Sequence, residues 1–340
     1  MNTFNIDNTK FQTSLDVVDE LIIKSHPKDY KATFSKFKNQ FNTKEVVLVD
    51  KNVQQLYNIN HDKMIIIEAI EQNKSIETVL DVCEQLTNFN FDKGSTLIVI
   101  GGGIIQDIGA FTSKIYKRGI NWVFYPTTLL SQCDSCIGGK TALNFKDYKN
   151  QLALFSAPQK VIIDTNFLST LSETDILSGH GEIVKLFLLG GDNYVEMFDD
   201  LTIEEKIFHS LAIKKSVIEK DEFENLERKS LNYGHSFGHS IESVMNYEIS
   251  HGEAVLLGIE IINRLFDQNI QITNMVEKFT SLSRLNGCDM NKVYEATKTD
   301  KKVKNGIISL VVVPSPGLTK FIQTKLDDEL MERLNAISLD

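Results

Sequence analysis

Short apolar runs alternate with segments of helical periodicity over the first half of the chain, a pattern typical of a parallel sheet covered by helices. The predicted strands are Glu45–Val49, Met64–Ile67, Leu97–Ile100, Trp122–Tyr125 and Val161–Ile163. The helices predicted between them include Ser75–Leu86 and Ile108–Tyr116. The polar, lysine-rich residues 1–44 also have a mostly helical pattern. This half therefore predicts a largely parallel, doubly wound sheet.

The pattern changes near residue 170, and helical spacing dominates from there on. Predicted helices continue through Leu189 and then cover Ile203–Glu222, Ser236–Met245, Gly252–Gln268 and Val276–Leu285, and Ile307–Val313 is one late strand. The predicted fold is an N-terminal α/β, Rossmann-like domain with a mostly parallel sheet, followed by an α-helical C-terminal domain. We expect these domains to cover residues 1–170 and 171–340.

Three consecutive glycines, Gly101–Gly103, follow the apolar strand Leu97–Ile100 and precede a predicted helix. Glycine lets the backbone turn sharply and leaves N–H groups accessible to an anion, so this turn suits a pyrophosphate. Taken alone the signal is weak, because Gln106 stands where a dinucleotide-binding fingerprint has its third glycine.

Histidines concentrate in the second half, where His235, His239 and His251 lie within seventeen residues. His235 and His239 have the i, i+4 spacing that places two imidazoles on one helix face, where they can share a divalent metal. The alternative is a capped helix with two polar histidines. A carboxylate is needed to complete a metal site, and Glu182 is one candidate among many, with Lys185 one turn later.

Polar residues at helical spacing continue from His235 towards the N-terminus. Arg228, Asn232, His235 and His239 fall at i, i+4, i+7 and i+11, which predicts one polar stripe on a single helix. Such a helix is not expected to pack that face against a core.

Composition excludes several classes of protein. The formal net charge of −10 argues against nucleic acid as a general partner, although a site can still be locally basic. No stretch approaches the ~20 apolar residues of a membrane span, and the first residues lack the pattern of a signal peptide. The four cysteines do not form a disulfide framework and fit a reducing cytoplasm. We interpret Cys133 and Cys136 as two small loop residues rather than as half of a zinc site or a redox pair.

From about Val46 to Gly317 the chain resembles the 3-dehydroquinate synthase family, within the sugar phosphate cyclases. Its motifs occur in the family's order: GlyGlyGly-x-x-x-Asp at 101–107, ArgGly at 118–119, ProThrThrLeuLeu at 126–130, AspSer-x-x-GlyGlyLys at 134–140, LysAsn at 149–150, Glu-x-x-Lys at 182–185, Arg-x-x-x-Asn-x-x-His-x-x-x-His at 228–239 and HisGlyGluAlaVal at 251–255. The resemblance implies a dehydroquinate synthase-like fold, a bound NAD, and one divalent metal, Zn²⁺ or Co²⁺. It also implies a phosphorylated keto acid, 3-deoxy-D-arabino-heptulosonate 7-phosphate, which is converted to 3-dehydroquinate and phosphate with regeneration of NAD.

The resemblance also implies the site residues. The metal ligands are Glu182, His235 and His251, and His239 then faces the substrate. The NAD contacts are Asp50, Asn52, Glu71, Lys74, Gly102, Gly103, Asp107, Thr127, Thr128, Phe167 and Thr170. The catalytic residues are Lys140, Lys185, Lys214, Arg228, Asn232 and His239. The other substrate contacts are Arg118, Asp134, Lys149, Asn150 and Lys301 (or its neighbour Lys302). Arg118 resembles an arginine that the family donates across a dimer interface, which implies a homodimer.

Several positions depart from the family's usual pattern: Gln106, Cys133, Cys136 and His180, of which His180 is close enough in sequence to Glu182 to reach the metal. These departures leave open a paralogous cyclase that acts on another phosphorylated keto sugar. A metal-dependent polyol dehydrogenase would instead release NADH, and a non-catalytic protein could retain the NAD-binding fold. On the metal ligands, spacing favours His235 with His239, whereas the resemblance pairs His235 with His251. We follow the resemblance, because a three-ligand site leaves an open position for a substrate oxygen.

Overall fold

The computed structural model describes residues 2–3, 20–146, 148–266, 268–299 and 303–337. The chain divides into two compact units, with the division between Leu171 and Ser172. The strand Asn2–Thr3 belongs to the second unit, where it pairs with the last strand. The sequence-based division had assigned residues 1–170 entirely to the first domain.

The strands are β1 (Asn2–Thr3), β2 (Glu20–Ile23), β3 (Tyr30–Phe34), β4 (Glu45–Asp50), β5 (Met64–Ile67), β6 (Thr96–Gly101), β7 (Asn121–Pro126), β8 (Lys140–Phe145), β9 (Tyr148–Phe155), β10 (Lys160–Ile163), β11 (Ile307–Ser315) and β12 (Leu318–Lys325). The α-helices are α1 (Lys51–Leu56), α2 (Ile76–Asn88), α3 (Gly103–Ile115), α4 (Glu173–Gly190), α5 (Asp192–Met197), α6 (Ile203–Ile218), α7 (His235–Val244), α8 (His251–Phe266), α9 (Ile270–Glu277), α10 (Met290–Lys298) and α11 (Asp328–Asn335). A π-helical turn covers Ser131–Ser135.

A seven-stranded sheet organises the first unit, in the order β2-β3-β10-β7-β6-β4-β5. Every neighbouring pair is parallel except β2 with β3. The inner strands β4 and β6 are apolar and almost wholly buried, as expected where helices cover both faces of a parallel sheet. The predicted fold class, a Rossmann-like α/β region followed by a helical region, is confirmed.

Two parts of the predicted secondary structure are wrong. Residues 20–44 were expected to be helical but contain the strands β2 and β3, whose apolar side chains anchor one edge of the sheet. The predicted helix Val276–Leu285 is instead the end of α9 followed by a separate 3₁₀ turn, Leu282–Leu285. The helical prediction for residues 4–19 lies outside the described residues. The β8–β9 hairpin was not predicted, because β9 is mostly exposed and its apolar run is confined to its last four positions, Leu152–Phe155.

The second unit is built around α8, whose residues Gly252–Asn263 are all buried. Helices α4 and α7 pack on α8, and the sheet of this unit has three antiparallel strands in the order β1-β12-β11. None of the helices that the structure describes is long and apolar enough to cross a membrane.

Glycines make the helix contacts of the second unit unusually close. A Cβ added at Gly181 of α4 would lie 2.1 Å from the carbonyl oxygen of Gly252, and one at Gly252 would lie 1.9 Å from that of Ser178. On the other side of α8, a Cβ at Gly258 would lie 2.1 Å from the carbonyl oxygen of Gly234. The backbones of α4, α7 and α8 are therefore in direct contact, which no larger residue would permit.

In the first unit, Gly109 has the packing role that the third glycine of a dinucleotide-binding fingerprint usually has. A Cβ at Gly109 would lie 2.6 Å from Val99 Cγ2, so only glycine lets α3 settle against β6. Gln106 is buried on the same helix, where its Nε2 donates to Ser135 O and its Oε1 accepts from Ser135 Oγ, both at 2.6 Å. The glutamine thus joins α3 to the π-helical turn.

We expect Gly109→Ala to lower the free energy of unfolding of the first unit by about 1–3 kcal/mol, the usual effect of overpacking a core. Gly103→Ala is the matched control on the same helix, since a Cβ there meets nothing within 4 Å. It should change the stability by less than about 1 kcal/mol. Urea unfolding of both variants measures the difference, and equal stabilities would contradict the packing role of Gly109.

Candidate functional site

A carboxylate and two imidazoles converge in the second unit. Glu182 projects from α4, and His235 and His251 are the first residues of α7 and α8. Glu182 Oε1 lies 3.5 Å from His235 Nε2 and 3.4 Å from His251 Nε2. The three residues form a group that could hold a metal ion.

The second ring nitrogen of each histidine supports this arrangement. His235 Nδ1 lies 3.1 Å from the carbonyl oxygen of Tyr233, and His251 Nδ1 lies 3.1 Å from Glu242 Oε2. Both contacts place the ring proton on Nδ1, which leaves both Nε2 atoms directed at Glu182. Ligands of a tetrahedral zinc ion at their usual bond lengths are about 3.4 Å apart, so these distances fit a divalent metal.

Glu182 is buried in contact with Lys185, which follows it by one turn on α4, and only 2% of either side chain is exposed. Burial by itself would raise the pKa of the Glu182 carboxyl. The ammonium of Lys185 and the ring of His251 more than offset this effect and leave the pKa below its ordinary value. The carboxylate is therefore anionic, as a metal ligand must be.

His239 lies beside the group without belonging to it. Its ring centroid is 5.3 Å from that of His235 and 5.8 Å from that of His251. With Glu242 and His251 it belongs to a second possible metal-binding group, in which His239 is the exposed member. The structure thus brings together with Glu182 the histidines implied by the resemblance, not the pair favoured by spacing.

The predicted polar stripe on one helix is wrong. Arg228 and Asn232 lie in a 3₁₀ turn, Glu227–Asn232, and α7 begins only at His235. Gly234 separates the two segments with a φ of +78°, a left-handed conformation that ends any continuous helix. Arg228 is buried rather than solvent-facing, and its guanidinium contacts the carbonyl oxygen of Glu222.

The other predicted residues of this unit have varied environments. Lys214 is buried on α6, and Asn232 Nδ2 donates to Glu224 Oε1 at 2.9 Å. His180 stacks on Phe279 with ring centroids 4.6 Å apart and belongs to neither possible metal group among the described residues. Burial and the charge of Lys206 lower the pKa of His180 to about 4. Lys301 and Lys302 lie outside the described residues.

The glycine turn of the first unit lies between β6 and α3, with Gly102 as the N-cap of α3. A Cβ at Gly102 would lie 2.8 Å from Thr128 Cγ2, whereas the space beside Gly103 is open. Thr127 N donates to Gly101 O at 3.0 Å and fixes the adjoining loop. The N-terminus of α3 therefore lies at the carboxyl edge of a parallel sheet, where anionic cofactors bind in such folds.

A hydrogen-bonded network joins several predicted NAD contacts to the β8–β9 hairpin. Lys74 Nζ lies 2.7 Å from Asp107 Oδ2 and also donates to Asn150 Oδ1 at 2.7 Å. Asn144 Nδ2 donates to Glu71 Oε1 at 2.8 Å, and Asn144 Oδ1 accepts from Asn150 N at 3.0 Å. Burial raises the pKa of the Asp107 carboxyl despite its contact with Lys74. Sequence reasoning gave Asn144 no role.

Of the remaining predicted NAD contacts, Asp50 lies at the end of a strand, Asn52 in α1, and Phe167 and Thr170 in a 3₁₀ helix, Thr165–Thr170. Asp50 ends β4 and caps α1 by accepting a hydrogen bond from Asn52 N at 3.0 Å. Burial raises the pKa of Asp50. Phe167 packs edge-on against Tyr57, with centroids 4.7 Å apart, and Thr170 Oγ1 lies 3.4 Å from the Tyr57 hydroxyl.

The predicted substrate residues of this unit are mostly on its surface. Lys140 and Lys149 are exposed on the hairpin, and Arg118 is exposed in a 3₁₀ turn with a φ of +66°. Asp134 lies in the π-helical turn that Gln106 holds. A cavity of about 530 Å³ lies beside the hairpin, and Glu71 and Lys149 are among the residues that line it.

Comparison with known proteins agrees with the fold and with the residue pattern. Residues 64–178 match the model for the N-terminal part of 3-dehydroquinate synthase, and residues 179–303 match that for its C-terminal part. The 3-dehydroquinate synthase of Acetivibrio thermocellus is 37% identical over 290 residues, which are 80% of each chain.

Two solved structures have the same fold at low sequence identity. A 2-deoxy-scyllo-inosose synthase complexed with carbaglucose-6-phosphate, NAD⁺ and Co²⁺ superimposes with a TM-score of 0.81 at 20% identity, over 93% of this chain and 99% of that one. A 2-epi-5-epi-valiolone synthase from Streptomyces hygroscopicus with NAD⁺ and Zn²⁺ bound superimposes with a TM-score of 0.74 at 22% identity, over 92% of this chain and 96% of that one.

The fold and the acid–histidine group thus define an enzyme with a Rossmann-like unit and a helical unit. The family matches and the identity to the bacterial relative go further, and the chain belongs to the 3-dehydroquinate synthase family.

We expect His251→Ala to lose a bound divalent metal and His239→Ala to retain it. The reason is that His235 and His251 each direct Nε2 at Glu182, whereas His239 is not part of the metal-binding group that contains Glu182. The measurement is the metal content of each purified variant after loading with Zn²⁺ and dialysis. Equal loss from both variants, or loss from His239→Ala alone, would show that the ligand set is different.

Proposed function

We propose that this chain is a 3-dehydroquinate synthase, which converts 3-deoxy-D-arabino-heptulosonate 7-phosphate to 3-dehydroquinate and phosphate with NAD and a divalent metal, Zn²⁺ or Co²⁺. The observation that carries the proposal is the convergence of Glu182, His235 and His251. Family membership supports the reaction, and the bound NAD⁺ and metal ions of the two structural neighbours support the cofactors.

The metal would be held by Glu182, His235 and His251. When bound, NAD would accept and return a hydride, and the metal would polarise the substrate oxygen at the carbon being oxidised. A site with three protein ligands would leave room for that oxygen to bind. The buried ammonium of Lys185 holds Glu182 in its anionic form, so the carboxylate is ready to bind a cation.

The substrate's negative groups require cations that are already in position. Arg228 and Lys214 are buried in the second unit, and a guanidinium can bind a carboxylate or phosphate through two parallel hydrogen bonds. Burial strengthens each such bond, because the local dielectric constant is lower than that of water. We assign to these residues the binding of the substrate's anionic groups.

The NAD pyrophosphate would bind at the glycine turn of the first unit. Gly102 and Gly103 permit close approach of the backbone, and the N-terminus of α3 attracts negative charge. The expected homodimer, with Arg118 reaching the partner's site, stays a prediction.

The purified protein, incubated with NAD, Zn²⁺ and 3-deoxy-D-arabino-heptulosonate 7-phosphate, should release phosphate without accumulation of NADH. The reason is that a cyclase returns its hydride in each turnover, whereas a polyol dehydrogenase does not. Phosphate release and the nicotinamide absorbance are followed in the same sample.

NADH that rises in step with turnover would contradict the cyclase reaction. If this substrate releases no phosphate but another phosphorylated keto sugar does, the chain is a paralogous cyclase. Glu182→Gln is the matched negative control, because it keeps the side-chain volume and removes the anionic ligand.

Arg228→Lys should weaken substrate binding by about 1.5–3 kcal/mol, roughly ten- to a hundredfold, because one ammonium cannot replace the guanidinium fork. NAD affinity should be unchanged, since every expected NAD contact lies in the first unit. Calorimetric titrations with each ligand measure both affinities. The control is Arg264→Lys, a change at an arginine of the second unit that pairs with Glu260. Reduced NAD affinity with unchanged substrate affinity would disprove the role of Arg228.

A further inference from the structure

Glu242 makes a contact between two helices that neither spacing nor resemblance had singled out. It lies on α7, seven residues after His235, and only 14% of its side chain is exposed. Its Oε2 atom lies 3.1 Å from Nδ1 of His251, which is the first residue of α8. The carboxylate therefore reaches one of the three residues that surround the candidate metal position, on the side of the ring that faces away from Glu182.

This contact determines which nitrogen of His251 is available. A neutral imidazole carries its proton on one ring nitrogen, and a carboxylate beside Nδ1 keeps the proton there. Nε2 is then the nitrogen whose lone pair is available to a bound metal, and it lies 3.4 Å from Glu182 Oε1. The Tyr233 carbonyl oxygen has the same effect on His235, at 3.1 Å from its Nδ1. Of these two acceptors, only the carboxylate belongs to a side chain and can be removed by mutation.

We propose that Glu242 is a positioning residue, which fixes the ring orientation and tautomer of His251 for metal binding without contacting the metal. The inference rests on the proposed function, because it requires the metal site. A carboxylate that accepts the second N–H of a ligating histidine also makes that histidine a stronger ligand.

A direct ligand role is the competing interpretation, because Glu242, His239 and His251 form the second possible metal group. That group would need His251 Nδ1 as a ligand, since this is the nitrogen next to Glu242. Because Nε2 is already directed at Glu182, the His251 ring would have to bind a metal ion through each of its two nitrogens. It would then lose both of its ring protons. The observed contacts instead give each nitrogen its own carboxylate, Glu242 at Nδ1 and Glu182 at Nε2, so a metal bound through Nε2 leaves the contact at Nδ1 intact.

The test is to measure the affinity of the metal-free protein for Zn²⁺ by competition with a chelator, and to record the visible absorption of the Co²⁺ form. Glu242→Ala should weaken Zn²⁺ binding by roughly ten- to a hundredfold, the usual effect of removing such a partner. Glu242→Gln should recover much of the loss, because its amide oxygen can still accept the Nδ1 proton. The Co²⁺ spectrum should keep the form of the unmodified protein in both variants, because the ligand set is unchanged.

Glu260→Gln is the matched control. Glu260 is a buried carboxylate of α8 that accepts hydrogen bonds from Thr273 and Arg264, so its loss should lower the Tm and leave Zn²⁺ affinity unchanged. A purely structural role for Glu242 would give the same result as this control and would overturn the proposal.

Three outcomes in the Glu242 variants and the unmodified protein would also overturn it. If both Glu242 variants lose metal as completely as Glu182→Ala, with an altered Co²⁺ spectrum, Glu242 is a ligand. If the unmodified protein binds neither ion, the metal site of the proposed function fails and this inference fails with it. Tight binding by the unmodified protein, with unchanged affinity in Glu242→Ala, would refute the inference alone.

Discussion

The close contact of three helix backbones is the constraint on which the candidate metal site depends. Each of the three convergent residues is a direct neighbour of a glycine at such a contact: Glu182 follows Gly181, His251 precedes Gly252, and His235 follows Gly234. A Cβ at Gly234 would lie 2.5 Å from the carbonyl oxygen of Val255, so α7 approaches α8 as closely as α4 does. The separation of the side chains is thus set by contacts between backbones, which vary less than contacts between flexible side chains.

This rigidity matters because the site contains a buried charge. Burial of Glu182 is unfavourable unless partners compensate for the lost hydration. Lys185 comes from the same helix, whereas His235 and His251 come from the two others. Any shift between the helices would therefore separate the carboxylate from two of its three partners. Helix packing and electrostatics stabilise the same arrangement.

The sequence predicted the features that depend on local pattern. The inner strands β4, β6 and β7 are continuous apolar runs, and their predicted positions are correct to within one residue at either end. Spacing failed where one glycine changed the backbone: Gly234 breaks the helix that the stripe from Arg228 to His239 assumed. Spacing also could not relate His251 to Glu182, because their proximity arises from the packing of α4 on α8. The resemblance supplied that pairing, since it carries information about tertiary structure.

For Gln106 and Glu242 as well, the contacts follow from tertiary packing and not from the local sequence pattern. Gln106 occupies the position of a fingerprint glycine, yet the helix–strand contact of α3 depends on Gly109. The structure shows that Gln106 instead holds the π-helical turn. A glutamate at position 242 looks like any polar residue near the end of a helix, and its partner is a histidine of the next helix.

The net charge of −10 describes the whole chain and does not predict the charge inside the site. The second unit buries Lys185, Lys214 and Arg228, and each buried cation must be compensated by nearby negative or polar groups. Other buried acids of this unit already have cationic partners, Glu253 with Arg284 and Glu260 with Arg264. In the proposed reaction, the substrate's carboxylate and phosphate would add to the negative charge around the buried cations. An acidic protein can therefore contain a cationic site, provided that its cations are buried where bulk solvent does not screen them.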